Sequence, residues 1–187
     1  MRKLIVSMMV SIDGYIEDHN KSLEWFTWDS EMENYMLNYL RNFGVFVYGR
    51  KSYETMVSYW PEAGDNPAWP DRDIEFVKIM NETPKLILST TLRQVQWNAE
   101  LFGENPEQEM KQLKAQEGKD IALFAGASAA AYFMSKGLVD EYHLIINPVI
   151  LGSGNALFSG GDSMKRLQLK SARSFPSGIV ILTYTTV

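Results

Sequence analysis

The sequence predicts an α/β protein, a three-layer α/β/α arrangement around a mostly parallel mixed sheet with a C-terminal antiparallel hairpin. Two observations carry this. Short, nearly continuous apolar runs rich in β-branched residues alternate with segments whose apolar residues recur at helical spacing. That order builds parallel strands covered on both faces by crossover helices. Near the C-terminus it changes: two strand-like runs, about 167–175 and 179–186, flank Pro176-Ser177-Gly178 with no helix between them and read as a hairpin on one edge. The 187 residues hold no repeat, low-complexity tract or linker, and a single domain over 1–187 is expected.

The elements follow in order. "KLIVSMMV" (3–10) is the first buried strand, and Asp13-Gly14 signals a turn after it. In "DSEMENYMLNYLRNF", Met32, Tyr35, Met36, Tyr39 and Leu40 fall on one helical face, with Asp29 or Ser30 as cap. "VFVY" (45–48) is a core strand, followed by a helix from about Ser52. "SYWPEAGDNPAWPDRD" reads as a long surface loop, and "DIEFVKIMNET" as a short amphipathic helix ended near Pro84. "KLILST" is another strand. A loop then leads to a polar helix with Met110 and Leu113 inward and Gly118 at its end. "IALFAG" is a strand, "ASAAAYFMSKG" a helix, and "VDEYHLIINPVIL" a long strand interrupted or ended at Pro148.

Composition narrows the chemistry. A net charge of −5 argues against a general nucleic-acid binder, which needs a broad field of cations. With no cysteine and only His19 and His143, a thiolate site, a structural zinc and a Ser-His-Asp triad are not expected. The charged start followed by an apolar run superficially resembles a signal peptide, yet it leads directly into Asp13-Gly14 without a small-residue cleavage pattern. No stretch is long enough to span a bilayer. A cytoplasmic location is expected, with neither membrane nor nucleic acid as partner.

Ligands of open α/β sheets bind beyond the carboxyl ends of the strands. Three strand ends here offer small residues, backbone amides and a hydroxyl: Gly49-Arg50-Lys51-Ser52, Ser89-Thr90-Thr91 and Gly126-Ala127-Ser128. Such ends suit phosphate, which needs close backbone approach and a favourable helix dipole. Arg50 and Lys51 add positive charge. The trio points to an extended phosphorylated ligand such as a dinucleotide. Neither a G-x-G-x-x-G after the first strand nor a P-loop is present. "LGSGNALF" (151–158), with Gly152, suits either a flexible turn or backbone lying close to a ligand.

"SIDGYIED", "VYGRKSYETM", "LILSTTL", "FAGASAAAYFMSKGLVDEYHLIINPVILGSGNALF" and "SGIVILTY" occur in an order that resembles the dihydrofolate-reductase-like superfamily. The likeness is to the branch holding the reductase domain of bacterial riboflavin biosynthesis and its stand-alone relatives, and it covers nearly the whole chain. It implies an NADPH-binding reductase, commonly dimeric, acting on a small planar heterocycle of the pterin or pyrimidinone class. By matching position, Gly49, Arg50, Lys51 and Ser52 would hold cofactor phosphate, and Ser89 and Thr90 would lie near the 2′-phosphate. Gly126, Ala127, Ser128 and Ala129 would approach the pyrophosphate. Ile12 to Ile16, including Gly14, would lie beside the nicotinamide. Two positions depart from the branch. Its usual glycine pair is here Ala125-Gly126, and Phe124 stands where an acidic residue is typical. No deaminase domain is found within the 187 residues. Riboflavin-pathway substrates are therefore not the expectation.

Several side chains keep two readings. Asp13 is the candidate catalytic polar group, or simply part of an Asp-Gly turn. Asp29 and Glu31 face a substrate or cap a helix, and capping is the expectation. Trp25, Phe26 and Trp28 stack on a flat substrate or close the core, and Tyr53 is a further candidate substrate contact. Trp60 and Trp69 belong to a lid or anchor a surface loop. His143 is expected to be packed or paired, and Asp140-Glu141 to serve structure or a dimer contact. A non-catalytic nucleotide- or small-molecule-binding protein and, more weakly, a flavin-binding oxidoreductase are the competing classes.

Overall fold

Side chains of the first strand, β1 (Leu4–Ser11), are buried on both faces of the sheet in turn, and this alternation of face sets the layers. In this computed structural model, which describes residues 1–64, 74–159 and 164–187, Leu4 and Val6 face one side of the sheet and Ile5 the other. β3 (Phe43–Gly49) repeats the pattern, with Val45 and Val47 on the first side and Phe46 and Tyr48 on the second. The first side packs on α5 (Pro106–Ala115) and α6 (Ala127–Ser135) through Met110, Ala129 and Phe133. The second packs on α1 (Ser30–Leu40), α2 (Arg50–Val57) and α4 (Ile74–Glu82) through Leu40, Tyr53 and Met80. This period-two division is what a sheet covered on both faces requires. The three-layer α/β/α class is therefore as expected.

Eight strands form the main sheet among the described residues. They are β5 (Ala99–Leu101), β4 (Lys85–Leu88), β3, β6 (Asp120–Leu123), β1, β7 (Glu141–Asn147), β10 (Val180–Thr186) and β9 (Leu167–Ser174), in that spatial order. The first six pair in parallel, whereas β10 runs antiparallel to both β7 and β9. The hairpin turn is closed by Gly178 at φ 88, whose amide donates to the Phe175 carbonyl at 2.9 Å.

Four short elements exceed the expectation. β2 (Tyr15–Asp18) pairs with β8 (Gly154–Ala156) in a separate two-stranded sheet, and β5 extends the main sheet. Within the expected loop after α2, residues Trp60–Ala63 form the short helix α3. None of these has a run long enough for periodicity to reveal it.

Several polar residues in the core are paired, whereas the buried Tyr48 hydroxyl has no hydrogen-bond partner among the described residues. His143 is 1% exposed, with Nδ1 2.9 Å from Ser7 Oγ and Nε2 2.9 Å from Tyr35 Oη, and its ring stacks on Tyr39. Desolvation pushes its pKa down to about 3, partly opposed by Glu141, so the ring is neutral. Glu141 pairs with Lys3 and Lys170, and Asp140 with Lys114 and the Leu4 amide, at the amino ends of β7 and β1.

Candidate active site

β3 and β6 are adjacent and parallel, yet the chain leaves them in opposite directions. After β3 it enters α2, on the face of Tyr53, and goes on to β4. After β6 it enters α6, on the face of Phe133, and goes on to β7. Such a switch opens a crevice at the carboxyl ends of the two strands, where α/β proteins bind ligands. Both helices start from an extended glycine, Gly49 (ψ 164) and Gly126 (ψ 164), and neither start carries a side-chain cap. First-turn amides and helix dipoles thus converge on the crevice.

Small residues make this convergence possible. A Cβ on Gly49 would lie 3.0 Å from the Ala129 Cβ, so the two helix starts approach as closely as side chains permit. Ser52 Oγ accepts from the Gly126 amide at 2.9 Å and ties the two turns together. The Gly126 amide is therefore already engaged, and the Ala129 amide donates to the Gly126 carbonyl at 3.1 Å. Arg50 pairs with Glu54 at 3.0 Å on the surface, and Lys51 and Ser128 are exposed. At the neighbouring end of β4, Ser89 Oγ accepts from the amides of Thr91 (3.2 Å) and Leu92 (3.0 Å), which turns the chain, while Thr90 is exposed.

The ends of β1 and β7 are built differently. Ser11 and Asn147 are partners in the ladder, and the loops beyond them are laced together. The Asp13 carboxylate accepts from Ser11 Oγ (2.6 Å), the Leu151 amide (3.2 Å) and the Gly152 amide (2.8 Å). The Ser11 hydroxyl, followed by these amides, holds the exposed carboxyl below its usual range. Gly14 takes φ 86, closing the expected Asp-Gly turn. The β2–β8 ribbon continues the pairing, with Gly154 at φ 151 where a Cβ would fall 2.0 Å from the Glu17 carbonyl oxygen. Ile12 and Ile150 stand exposed beside the laced loops, at 62% and 72%.

Asn147 escaped the sequence reading. It is fully buried, and its Oδ1 accepts from the Thr27 amide at 2.8 Å, hanging the aromatic segment 25–28 on the end of β7. The available signal was a lone amide closing the apolar run "HLIIN". Trp25 packs edge-on against Phe26 and donates to the Ser22 carbonyl, while Trp28 is exposed.

Several candidates take other places. Ile16, expected beside the nicotinamide, is buried against Leu157 and Ala130 because its β2 side chain turns into the core. Tyr53, expected at the substrate, is 4% exposed and binds both the amide and the carbonyl of Gln96, leaving its hydroxyl no ligand-facing role. Asp29 caps α1 through the Met32 amide, as expected, and also receives the Ser177 amide, while Glu31 pairs with Arg173. Phe124 joins an aromatic cluster with Phe43, Phe46 and Tyr48, and Ala125 is buried in the core. Trp60 is an anchor, stacked on Phe76. Trp69 lies outside the described residues.

Comparison with known proteins agrees with this architecture. The chain is 34% identical over 183 residues to the uncharacterised protein YyaP of Bacillus subtilis, covering 98% of this chain and 94% of that one. It is 24% identical over 179 residues to YwjB of the same organism, covering 95% of each. Among solved structures, a Shewanella sp. PV-4 protein assigned to riboflavin biosynthesis superposes with a TM-score of 0.78 at 20% identity, covering 99% of both chains. A pyrimidine reductase-like protein of Corynebacterium diphtheriae gives 0.64 at 17% identity, covering 100% of this chain and 92% of that one. These structural likenesses establish the fold. The profile of the RibD C-terminal domain matches residues 2–181, so the chain belongs to the RibD C-terminal domain family and is a reductase-like member of it.

Proposed function

We propose that the protein is an NADPH-dependent reductase acting on a small planar heterocycle of the pterin or pyrimidinone class. The observation that carries this is the pair of uncapped helix starts, Gly49-Arg50 and Gly126-Ala127, joined across a switch crevice by Ser52. The residues fit a dinucleotide phosphate: open first-turn amides of α2 and α6, exposed Arg50 and Lys51, and Thr90 one strand away. In this reading Ala127, Ser128 and the start of α2 take the pyrophosphate, and Arg50, Lys51, Ser89 and Thr90 the 2′-phosphate. Ile12 and Gly14 flank the nicotinamide, and Trp25 and Trp28 the substrate. The cofactor supplies the hydride, and the chain contributes orientation and exclusion of water. Asp13 holds the loops in place, because a carboxylate already receiving three hydrogen bonds and held ionised is a poor proton donor.

The heterocycle class comes from the family and from the pyrimidine reductase-like relative. No helix among the described residues is long and apolar enough to cross a membrane. We also assign the protein to the cytoplasm, as a homodimer. β7 is interior to the sheet, so its apolarity needs no partner, and the exposed edge strand β9 is the surface available for one.

Titration with NADPH and NADH, followed by cofactor fluorescence, tests the reading. A charge-assisted contact to the 2′-phosphate contributes about 1.5–3 kcal/mol, so NADPH should bind at least about tenfold tighter. Equal affinities would remove the assigned 2′-phosphate contacts. Tight NADPH binding without oxidation by any pterin, pyrimidinone or small carbonyl compound would point to the non-catalytic binding protein.

A further inference from the structure

We propose that the face of the C-terminal hairpin turned away from α1 is where two copies of this chain pack, sheet on sheet, about a two-fold axis. This rests on the homodimer assigned above, whose surface it names, and not on the reductase reading. The register sets Leu169 beside Tyr184, Ala172 beside Leu182 and Ser174 beside Val180, all on one side of the hairpin. Their neighbours take the other side. Ile181 packs toward Met32 and Met36 of α1, Arg173 pairs with Glu31, and Lys170, where the register shifts, reaches Glu141. The first row continues into β7, where Tyr184 is paired with Tyr142, and Phe158, 55% exposed, lies against the Tyr142 ring at 6.0 Å. The helices on this side stop short of the hairpin. α5 and α6 cover β3, β6 and β1 and reach β7 at Tyr142, but Leu169, Ala172, Val180 and Leu182 enter none of the core clusters of the described residues. Leu169 is 53% exposed, and Val180, Leu182 and Tyr184 are half-buried.

Charge argues for a second copy as the occupant. The chain carries a net charge of −5, so two copies repel one another wherever acidic surfaces meet. The three rows hold no charged side chain, because both cations of β9 are drawn to carboxylates on the α1 side. An isologous contact needs a surface that matches itself, and a neutral sheet face does so. Strands about 4.8 Å apart, rising about 3.4 Å per residue, spread the rows over roughly 250 Å² in plan, the scale at which exposed apolar surface marks an interaction site. A stable interface buries about 800 Å² per partner, so these rows are its apolar core, with Phe158 and the hairpin ends as its rim. Two sheets packed face to face lie about 10 Å apart with interdigitated side chains, and small Ala172 and Ser174 leave room for the larger β10 row. The free edge of β9 suits a partner less well. Its register shift and the cations Lys170 and Arg173 are features that oppose the addition of another strand.

Sedimentation velocity at tens of micromolar tests the proposal, and the unaltered protein should run as a dimer. Leu169→Glu and Ala172→Glu each place a carboxylate on the face, where two-fold symmetry buries it twice. Each should raise the dimer dissociation constant at least about a hundredfold. Both positions are exposed in the single chain, so the circular dichroism of each variant should match that of the unaltered protein, and either one suffices if the other does not fold. Gln168→Glu, on the same strand but facing the other side, should leave the dimer intact. A dimer that survives both face variants, or one that Gln168→Glu dissociates as readily, overturns the assignment of the face and leaves the homodimer standing. A monomeric unaltered protein overturns both. The crevice ends at β6, four strands from β9, so NADPH titration of the dissociated variant reports on the reductase reading separately.

Discussion

The two halves of the strand-end surface use backbone amides in opposite ways. At β3 and β6 two helices begin without side-chain caps, and Ser52 ties them across the gap to Gly126. At β1 and β7 the loops are closed on themselves, through Asp13 to Leu151 and Gly152, Asn147 to Thr27, and the β2–β8 ribbon. The first region leaves donors for a ligand's charge, and the second consumes its donors to hold a shape. A site divided in this way can grip a phosphorylated cofactor at one end and shape an apolar cleft at the other.

If that contrast is right, the laced half should be sensitive to backbone geometry and the open half to charge. The largest effect is expected at Gly154. Adding only a Cβ places it 2.0 Å from the Glu17 carbonyl oxygen in a backbone conformation that L-residues avoid. Gly154→Ala should destabilise the protein by about 3 kcal/mol and loosen the ribbon. Urea unfolding and amide exchange of residues 15–18 measure this, and an unchanged midpoint would show that the ribbon is not held as described.

His143 supports the α1 wall from beneath, and its effect is a matter of pH. Its folded pKa, about 3, lies below the unfolded value near 6.5, so between these values the unfolded chain binds the extra proton. The stability from the neutral ring is fully present above about pH 6.5 and is lost progressively as pH falls toward 3. Between pH 6.5 and 5 the loss from this residue should be about 2 kcal/mol. The groups facing it are Ser7, Tyr35 and Tyr39, with Glu141 as the charged group that favours the protonated ring. His143→Gln should flatten the pH dependence over that range. A slope identical to that of the unaltered protein would mean that the ring titrates normally.

The smallest effect belongs to Arg50. Because it is exposed and already paired with Glu54, replacing it by Ala should weaken NADPH by only about 1 kcal/mol and leave the rate at saturating NADPH nearly intact, since the contact is alike in ground and transition states. Glu54→Gln should shift affinity slightly the other way by releasing the guanidinium. Steady-state kinetics on both variants decides: a fall in maximal rate with unchanged affinity would place Arg50 near the reacting ring instead.

What could be read from the chain was local in origin. The continuous apolar runs of β1 and β3, the Asp29 cap, the Asp13-Gly14 turn and the glycine starts of α2 and α6 each arise from residues a few positions apart, where periodicity and capping chemistry act. Those patterns were enough for the layered α/β class, the terminal hairpin and the three strand ends. The tertiary structure decided what these parts do to one another. Ser52 meets Gly126 across 74 positions, Asp13 meets Gly152 across 139, and Thr27 meets Asn147 across 120. It also turned Ile16 and Tyr53 inward and revealed β2, β5 and β8, which are too short to show a period. A backbone amide has the same chemistry wherever it lies along the chain. Whether it awaits a ligand or is already bonded depends on which distant segment the fold brings beside it.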